Sequence, residues 1–513
     1  MDEKINKNDE LSGVAKGALL GFVGQFVEKG VGFLYNIFLP ILIGISNYGI
    51  YTMAISITHI ATILSFGGLT TGIVKKGSEF FSEKKFGELF SLVKFSLYFS
   101  ITTSLISIIV ILTSSKYISE ILFKSKNFKW VLDILSISIP FTIVTGILLS
   151  FTVALKIVRY SIVVKNILEP ILKFLLFLSL FALGFKLKGA IFSFTFTMMI
   201  CSLISIFIFS NVKKKLPLKK PQNIDKKGLL SFSFPLIIPM LFYNILMWSN
   251  TIILGIHESN YKVGLFSIGY KISMLFLIFI NAFIVPMEPR ISKFILEKDI
   301  KGLKEFHHII TRWIFLLGLP VIFFMIFFSK EILFAINPKF EPAWIFLTIL
   351  SIGPIFIFLS GPASSILVMS GKSNWQFYNT FSLLIFNFFM AIVLTRNLGA
   401  TGIAISVSLT YFIFAALTST EIFKLFKYMP IPKSILKILL INGIPIILLF
   451  FIKKISFFSS RWQIIPEMAI YFVFIAISYL IFESKNKKEE DLTLLKETYY
   501  RINDHFKNPE KYL

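Results

Sequence analysis

Apolar blocks of about 20 residues follow one another through almost the whole chain, separated by short connections in which lysine is frequent. A block of that length crosses the roughly 30 Å hydrocarbon core of a bilayer as one α-helix. Such blocks occupy about 14–43, 47–70, 89–113, 131–155, 162–184 and 188–210, then 229–256, 262–286, 307–328, 343–369, 375–395 and 399–420, and finally 434–452 and 464–482. The expected fold is all-α and integral to the membrane, with about fourteen transmembrane helices. Composition agrees, because 55% of the 513 residues are hydrophobic and 60 are phenylalanine. A soluble protein must cover its surface with polar side chains and does not have that balance.

The formal net charge of +24 does not indicate nucleic acid. The lysines stand in the connections, as in Lys213-Lys214-Lys215, where they set orientation and meet anionic lipid headgroups. Membrane lipids are therefore expected partners, and nucleic acid is not. The single cysteine, Cys201, lies inside an apolar block and is read as a small buried hydrophobe, without a disulfide or a Cys-based metal site. Met1–Ser12 is polar, and the apolar segment after it is too long for a signal peptide and lacks an A-x-A-like end, so it is expected to remain as helix 1.

Lys and Arg counts give the orientation. The connections that are inside when the N-terminus is inside carry more Lys and Arg taken together, and 211–227 alone contributes seven. Both termini are expected in the cytoplasm of a cell-membrane protein, although the outer connection Ser114–Lys129 carries Lys116, Lys124, Lys126 and Lys129 against the trend. The tail has Leu492, Leu494, Leu495, Tyr499 and Ile502 on one helical face, the pattern of an amphipathic helix lying on the membrane.

The chain also repeats itself. Ser46-Asn47-Tyr48-Gly49-Ile50-Tyr51 is matched by Ser259-Asn260-Tyr261 and Gly264-Leu265-Phe266, Glu83-Lys84 and Gly87 by Glu297-Lys298 and Gly302, and Gly189-Ala190-Ile191 by Gly402-Ile403-Ala404. The offset is always 213 to 215 residues, which is also the offset from helix 1 to helix 7. Six helices is an even number, so both halves enter from the same side, as a parallel repeat about an axis along the membrane normal. The expected organisation is an N-lobe at 1–210 and a basic cytoplasmic linker at 211–228. A C-lobe at 229–420, a helix pair at 421–482 and an amphipathic tail at 483–513 complete it, with a central cavity between the lobes.

The repeat segments carry a family likeness. Asn47-Tyr48-Gly49-Ile50-Tyr51-Thr52-Met53-Ala54-Ile55-Ser56, continued by Gly67-Gly68-Leu69 and Gly72-Ile73-Val74-Lys75, resembles the helix 1–2 region of polysaccharide-synthesis flippases. Ser233-Phe234-Pro235-Leu236 resembles the start of their helix 7. Val263-Gly264-Leu265-Phe266-Ser267-Ile268-Gly269-Tyr270-Lys271 resembles the opening of helix 8, and Pro286-Met287-Glu288-Pro289-Arg290-Ile291-Ser292 resembles its end. The family is that of the O-antigen and capsule (Wzx-type) flippases of the multidrug/oligosaccharidyl-lipid/polysaccharide (MOP) exporter superfamily, and the likeness covers about 14–420. It implies translocation of a polyprenyl-diphosphate-linked oligosaccharide from the cytoplasmic to the outer leaflet, with a polysaccharide polymerase and glycosyltransferases as neighbours in the pathway. Peptidoglycan-precursor (lipid II) flippases are close relatives that share a count of fourteen helices, and many sugar flippases have twelve.

Charges inside apolar helices cost about 2.5–3.5 kcal/mol each at the bilayer centre, so each one is a candidate site residue. Lys271, about ten residues into helix 8 with no acid within a turn, is the leading candidate to meet the diphosphate. Lys29 in helix 1 is the second, although Glu28 stands beside it. Adjacent residues point about 100° apart on a helix, which places the two poorly for direct pairing. Helix 5 holds Lys165, Glu169 and Lys173 at i, i+4 and i+8, read either as an ion-pair ladder or as a cavity face with one surplus cation. Lys165 can snorkel to the inner surface, and Lys173 lies deeper. Arg312 follows His307 and His308 at the inner end of helix 9. There an arginine reaches the interface, and its fork also fits phosphate.

Glu28 and Glu169 are the candidate ion-coupling residues. Na⁺ or H⁺ is the candidate driving ion, and no other cofactor is expected. Asn244, Asn250, Asn379 and Asn387 are read as interhelical glue. Pro235 and Pro239 remove backbone donors in helix 7, and Pro239 is the repeat equivalent of Gly24, which makes helices 1 and 7 the candidate hinges.

No acid pair, nucleophile–base pair or phosphate loop stands in a soluble domain, so the chain is not expected to be an enzyme or to use ATP. An ion-coupled multidrug exporter would want an anionic cavity, but here the intramembrane bases outnumber the acids. A membrane glycosyltransferase or polymerase would want a large external loop or catalytic acids, whereas Ser114–Lys129 has only Glu120.

Overall fold

The structure is a computed structural model, and it describes residues 2–217, 226–432, 434–455 and 464–485. The amphipathic tail expected beyond 485 and the middle of the basic linker lie outside the described residues. Every expected apolar block coincides with a helix or with consecutive helical pieces.

α1 (Asp2–Ile43) begins earlier than expected, in the polar N-terminal residues. Gly44 separates it from α2 (Ile45–Phe66), and the left-handed pair Gly67-Gly68 separates α2 from α3 (Leu69–Ser82). α4 (Phe86–Tyr117) runs into a π-helical turn at Ile118–Leu122, so most of the connection 114–129 is helical. α5 (Phe128–Ser136) and α6 (Ser138–Ala154) form one crossing. The fifth comes in three pieces: α7 (Arg159–Ser161), a π-helical segment Ile162–Leu168, and α8 (Glu169–Ala182). α9 (Lys186–Lys214) and α10 (Lys226–His257) are continuous. The eighth crossing is also broken, into α11 (Asn260–Ser273), a 3₁₀ turn at Met274–Phe276 and α12 (Leu277–Leu296).

α13 (Ile300–Phe327) is followed by two unexpected short pieces, α14 (Ser329–Ile336) and a 3₁₀ helix at Pro338–Ala343. α15 (Trp344–Ser360) and α16 (Ala363–Met369) are parted by Gly361 in the left-handed region. α17 (Ser373–Leu398), α18 (Ala400–Phe426), α19 (Ile435–Ile455) and α20 (Ile464–Lys485) complete the chain. Among the described residues, ten helices are long and apolar enough to cross a membrane unaided. The fifth and eighth crossings are not among them, and they are the two that hold the charged candidates Lys165, Glu169, Lys173 and Lys271.

The chain divides into two compact units that do not coincide with the two repeats. The first comprises 1–272 and 377–410, and the second 273–376 and 411–513. In the first unit α6 is the core helix. Ile139, Ile143 and Ile147, at i, i+4 and i+8, are fully buried, and Gly146 lies so close to Phe66 that a Cβ there would come within 2.6 Å of the ring. The second unit is built around α13, whose Ile310, Ile314, Phe315, Leu319 and Ile322 pack with Phe358 of α15 and Ile435 and Ile438 of α19.

The repeat is written into the backbone. Non-glycine residues rarely adopt positive φ, yet Lys84 (57°) and Lys298 (56°) both do so at helix ends. Lys156 (62°) and Gly371 (73°), and Gly184 (87°) and Gly399 (57°), are further left-handed pairs at the repeat spacing. Within the first unit, repeat-equivalent residues also touch each other. A Cβ on Gly49 of α2 would strike the carbonyl oxygen of Asn260 of α11, and a Cβ on Gly264 would strike the carbonyl oxygen of Ile45. One turn further on, the hydroxyls of Thr52 and Ser267, 215 residues apart, are hydrogen-bonded at 3.2 Å. Residue i meets the equivalent of j, and j meets the equivalent of i, which is how elements related by a two-fold axis cross.

Candidate functional site

The charged candidates of the first unit gather around broken helices. Pro170, at the start of α8, has no N–H to offer the carbonyl four residues back. The π-helical Ile162–Leu168 shifts the donors by one residue and accommodates it. This register change alters the i, i+4 spacing that Lys165 and Glu169 would have in a regular α-helix, whereas Glu169 and Lys173 both lie within α8. Glu169 still acts electrostatically on both lysines, but no ion pair joins it to either.

Gly24 of α1 packs against the π segment, where an added Cβ would come within 2.6 Å of Ile162 and 3.3 Å of Asn166. That close approach lets Asn166 donate a hydrogen bond to the Glu28 carboxylate. The other carboxylate oxygen of Glu28 accepts from Lys29 at 3.1 Å. The expectation that these neighbours would not pair is therefore corrected, because two long side chains span the arc that their Cβ atoms do not. Lys29 remains 62% exposed. α1 runs unbroken through Gly24, and α10 runs unbroken through 235 and 239.

Lys173 and Lys271 find aromatic rings instead of acids. The Lys173 ammonium lies 5.0 Å from the ring centre of Tyr35 on α1. That tyrosine is buried, meets Phe174 and Phe177 edge-on, and shares a 3.2 Å hydrogen bond with Tyr51 of α2. The Lys271 ammonium lies 5.2 Å from the ring centre of Trp248 on α10, and the same indole stacks in parallel on His59 of α2, at 4.8 Å and 8°. A desolvated cation–π contact is worth about 2 kcal/mol, somewhat less than the cost of about 2.5–3.5 kcal/mol for a charge at mid-membrane. The rings therefore offset most of that cost and leave the ammonium groups without a counter-ion.

The groups form one electrostatic cluster. Lys173 and Lys29 act on Lys271, Lys271 and Lys173 act on His59, and Glu169 and Glu28 act on Lys173. At 1.5 Å per residue, Lys29, His59, Lys173, Trp248 and Lys271 lie about 14–21 Å from one end of their helices, a distance that corresponds to the middle of a 30 Å core.

Arg312 belongs to the second unit, where its charge acts on His308. Neighbouring His307 is buried between the Tyr428 hydroxyl (3.1 Å) and the Ser360 carbonyl (2.9 Å). The asparagines divide: Asn387 joins α17 to α18 through Thr410 (3.0 Å), whereas Asn244 and Asn250 bond to carbonyls of their own helix. Cys201 is buried and free.

Sequence reasoning missed His59, Trp248, Tyr35 and Asn166. His59 did carry a signal, as the only histidine or charged residue of its apolar block.

A repeated bundle of long apolar helices defines a multi-pass membrane protein, and its fold is the one found in solved transporters of the MOP superfamily. The inward-closed structure of the lipid II flippase MurJ superposes with a TM-score of 0.72 over 91% of this chain and 99% of that one, at 17% identity. An inward-facing MATE family multidrug resistance transporter gives 0.64 over 77% and 98%, at 13% identity. A MOP superfamily transporter from Pyrococcus furiosus, described by the reverse polarity of its binding pocket, gives 0.56 over 81% and 97%, at 15% identity. The family model "Polysaccharide biosynthesis protein" matches residues 14–295, more than half of the chain, and the MatE model matches 235–393. The chain belongs to the polysaccharide biosynthesis protein family. A relative, the uncharacterized membrane protein MJ1375 of Methanocaldococcus jannaschii, is 22% identical over 418 residues, covering 77% of this chain and 95% of that protein.

Proposed function

We propose that the chain flips a polyprenyl-diphosphate-linked oligosaccharide from the cytoplasmic to the outer leaflet of the cell membrane by alternating access, as a step in cell-surface polysaccharide synthesis. The observation that carries this reading is the pair of mid-membrane ammonium groups, Lys271 and Lys173, held on Trp248 and Tyr35 with no carboxylate paired to either. Cations without counter-ions suit a diphosphate and repel a cationic drug. Membership of a polysaccharide biosynthesis family supports a sugar cargo, and the likeness to a lipid II flippase supports a lipid-linked one. The Glu28–Asn166 pair and Glu169 are the sites proposed for Na⁺ or H⁺ coupling, and the polymerase and glycosyltransferases of the same pathway are the proposed partners.

The test is transport by the purified protein in vesicles. A fluorescent polyprenyl-diphosphate oligosaccharide is expected to become accessible to an impermeant quencher on the far side, and a cationic dye is not. Lipid II serves as the competing cargo. Movement of the dye or of lipid II in preference to the oligosaccharide would reject the reading.

Direction depends on topology. A cysteine placed at Asn223 of the basic linker is expected to resist an impermeant maleimide added to intact cells and to react once they are permeabilised. Buried Cys201 gives no background. Labelling in intact cells would invert the topology and the direction of transport together.

A further inference from the structure

The cluster contains more hydrogen-bonding capacity than its lysines. His59, Trp248 and Lys271 come from three helices, α2, α10 and α11. No ring nitrogen of His59, nor the Trp248 indole N–H, nor the Lys271 ammonium has a hydrogen-bond or ion-pair partner among the described residues. Four of the five histidines lie in described segments, and the other three are satisfied. His257 contacts the Ile253 carbonyl at 3.0 Å, His307 contacts Tyr428 and Ser360, and His308 contacts the Met429 carbonyl at 2.8 Å. His59 alone sits at mid-membrane with both nitrogens unmet.

Polar groups away from water are costly to leave unpaired. Here the unpaired atoms are the two imidazole nitrogens, the indole N–H and the ammonium, held together by a parallel stack and a cation–π contact that fix the rings without using their N–H groups. Half-burial of His59, Trp248 and Lys271 leaves them open to an incoming molecule.

We propose that His59 and Trp248 are the hydrogen-bonding half of a diphosphate site whose ionic half is Lys271, and that His59 takes up a proton as the diphosphate arrives. This rests on the lipid-diphosphate reading above and adds to it two residues and a pH dependence. The charges that act on His59 are Lys271 on α11 and Lys173 on α8; Lys29 acts in turn on Lys271, and Glu28 and Glu169 on Lys173. No carboxylate acts on His59 itself, so the negative charge that favours a protonated imidazole comes from the ligand. A dianion then gains a charge-assisted bond from His59, a neutral one from Trp248 and an ionic contact with Lys271. Binding and proton uptake are linked, so binding tightens as pH falls through the histidine range.

The experiment measures binding to the full-length protein in nanodiscs at pH 8 and pH 6. The probes are farnesyl diphosphate, farnesyl monophosphate and inorganic pyrophosphate. Wild type is expected to prefer farnesyl diphosphate over the monophosphate at both pH values. Weaker binding of pyrophosphate would mark a lipid headgroup as the ligand source, and equal binding would mark free diphosphate.

His59→Gln keeps a neutral donor. It is expected to bind as wild type does at pH 8 and about tenfold more weakly at pH 6, the worth of one charge-assisted bond. The ligand's own titration is common to both proteins and cancels in that comparison. His59→Phe keeps the stack without the donor and is expected to bind more weakly at both pH values. Trp248→Phe keeps a ring under Lys271 and is expected to lose about fivefold, the worth of one neutral bond. Thermal stability checked alongside separates binding losses from misfolding. Wild-type pH dependence in His59→Gln, or wild-type affinity in His59→Phe, would overturn this inference while leaving the lipid-diphosphate reading intact. Failure of the wild type to bind any diphosphate would overturn both.

Discussion

Lys271→Ala is expected to give a protein that inserts and folds as the wild type does and exports no polymer. The two halves of that expectation come from the same geometry. Lys271 has an aromatic ring beneath it and no carboxylate beside it, so removing its charge leaves no buried partner unpaired. Truncating one member of a buried ion pair destabilises by about 3–5 kcal/mol because the other charge is stranded. Here the change instead removes a repulsion with Lys173 and Lys29, and the melting temperature should stay level or rise. Binding is affected in the opposite sense. A charge-assisted contact is worth about 1.5–3 kcal/mol, so affinity for a lipid diphosphate should fall about ten- to hundredfold. Lys271→Arg keeps the charge and the aromatic contact but changes the shape of the donor, and should retain part of the activity. Complementation of a flippase-deficient strain, with membrane levels measured in parallel, reads both halves. Normal export by Lys271→Ala at normal expression would remove the cationic site from the mechanism.

The positions of the crossings were readable because a 20-residue apolar block has few alternatives in a bilayer. Their internal breaks were less readable, for different reasons in different places. The block expected at 47–70 runs through Gly67-Gly68, where two left-handed residues end α2; hydropathy does not register φ. The π segment before α8 had a visible cause in Pro170, since a proline inside a helix must leave one carbonyl without its usual donor. Taking Lys165, Glu169 and Lys173 as a regular i, i+4, i+8 row ignored it.

The site was half legible. Lys271, Lys173, Lys29 and Glu28 declare themselves because a charge in an apolar block is expensive. What each one touches did not declare itself. Trp248 and Tyr35 are ordinary residues of apolar helices, and their pairing with lysines on other helices depends on tertiary packing that no local pattern encodes. His59 had a local signal but an ambiguous one, because a single histidine in a helix serves structure as often as function. His307, with both nitrogens satisfied inside the second unit, shows the structural case. The contrast between His59 and His307 appears only when their partners are known. The repeat went the other way. Three degenerate sequence matches became a set of left-handed helix ends at the same offset, and a crossing in which equivalent residues meet.

That crossing supports the other large expected effect. Gly49→Ala and Gly264→Ala should each sharply reduce the amount of folded protein, although alanine is the better helix former. In an ordinary helix interior the exchange stabilises by about 0.5–1 kcal/mol, and Gly30 of α1, with nothing within 4 Å of an added Cβ, should show that gain. At Gly49 the new methyl would meet the backbone carbonyl of Asn260, and at Gly264 that of Ile45. A side chain in the way can rotate, but a helical carbonyl moves only with its helix. The cost is then at least the 1–3 kcal/mol typical of overpacking, together with loss of the nearby Thr52–Ser267 hydrogen bond as α2 and α11 are pushed apart. Because the contact is reciprocal, the two variants should be similarly damaged, and the double variant should lose less than the sum of both, since the first substitution already separates the helices. Thermal unfolding in detergent, followed by the fraction that remains monodisperse, measures all four proteins. If Gly49→Ala and Gly264→Ala melt with Gly30→Ala, the helices do not cross at backbone contact, and the two-fold relation between α2 and α11 fails with it.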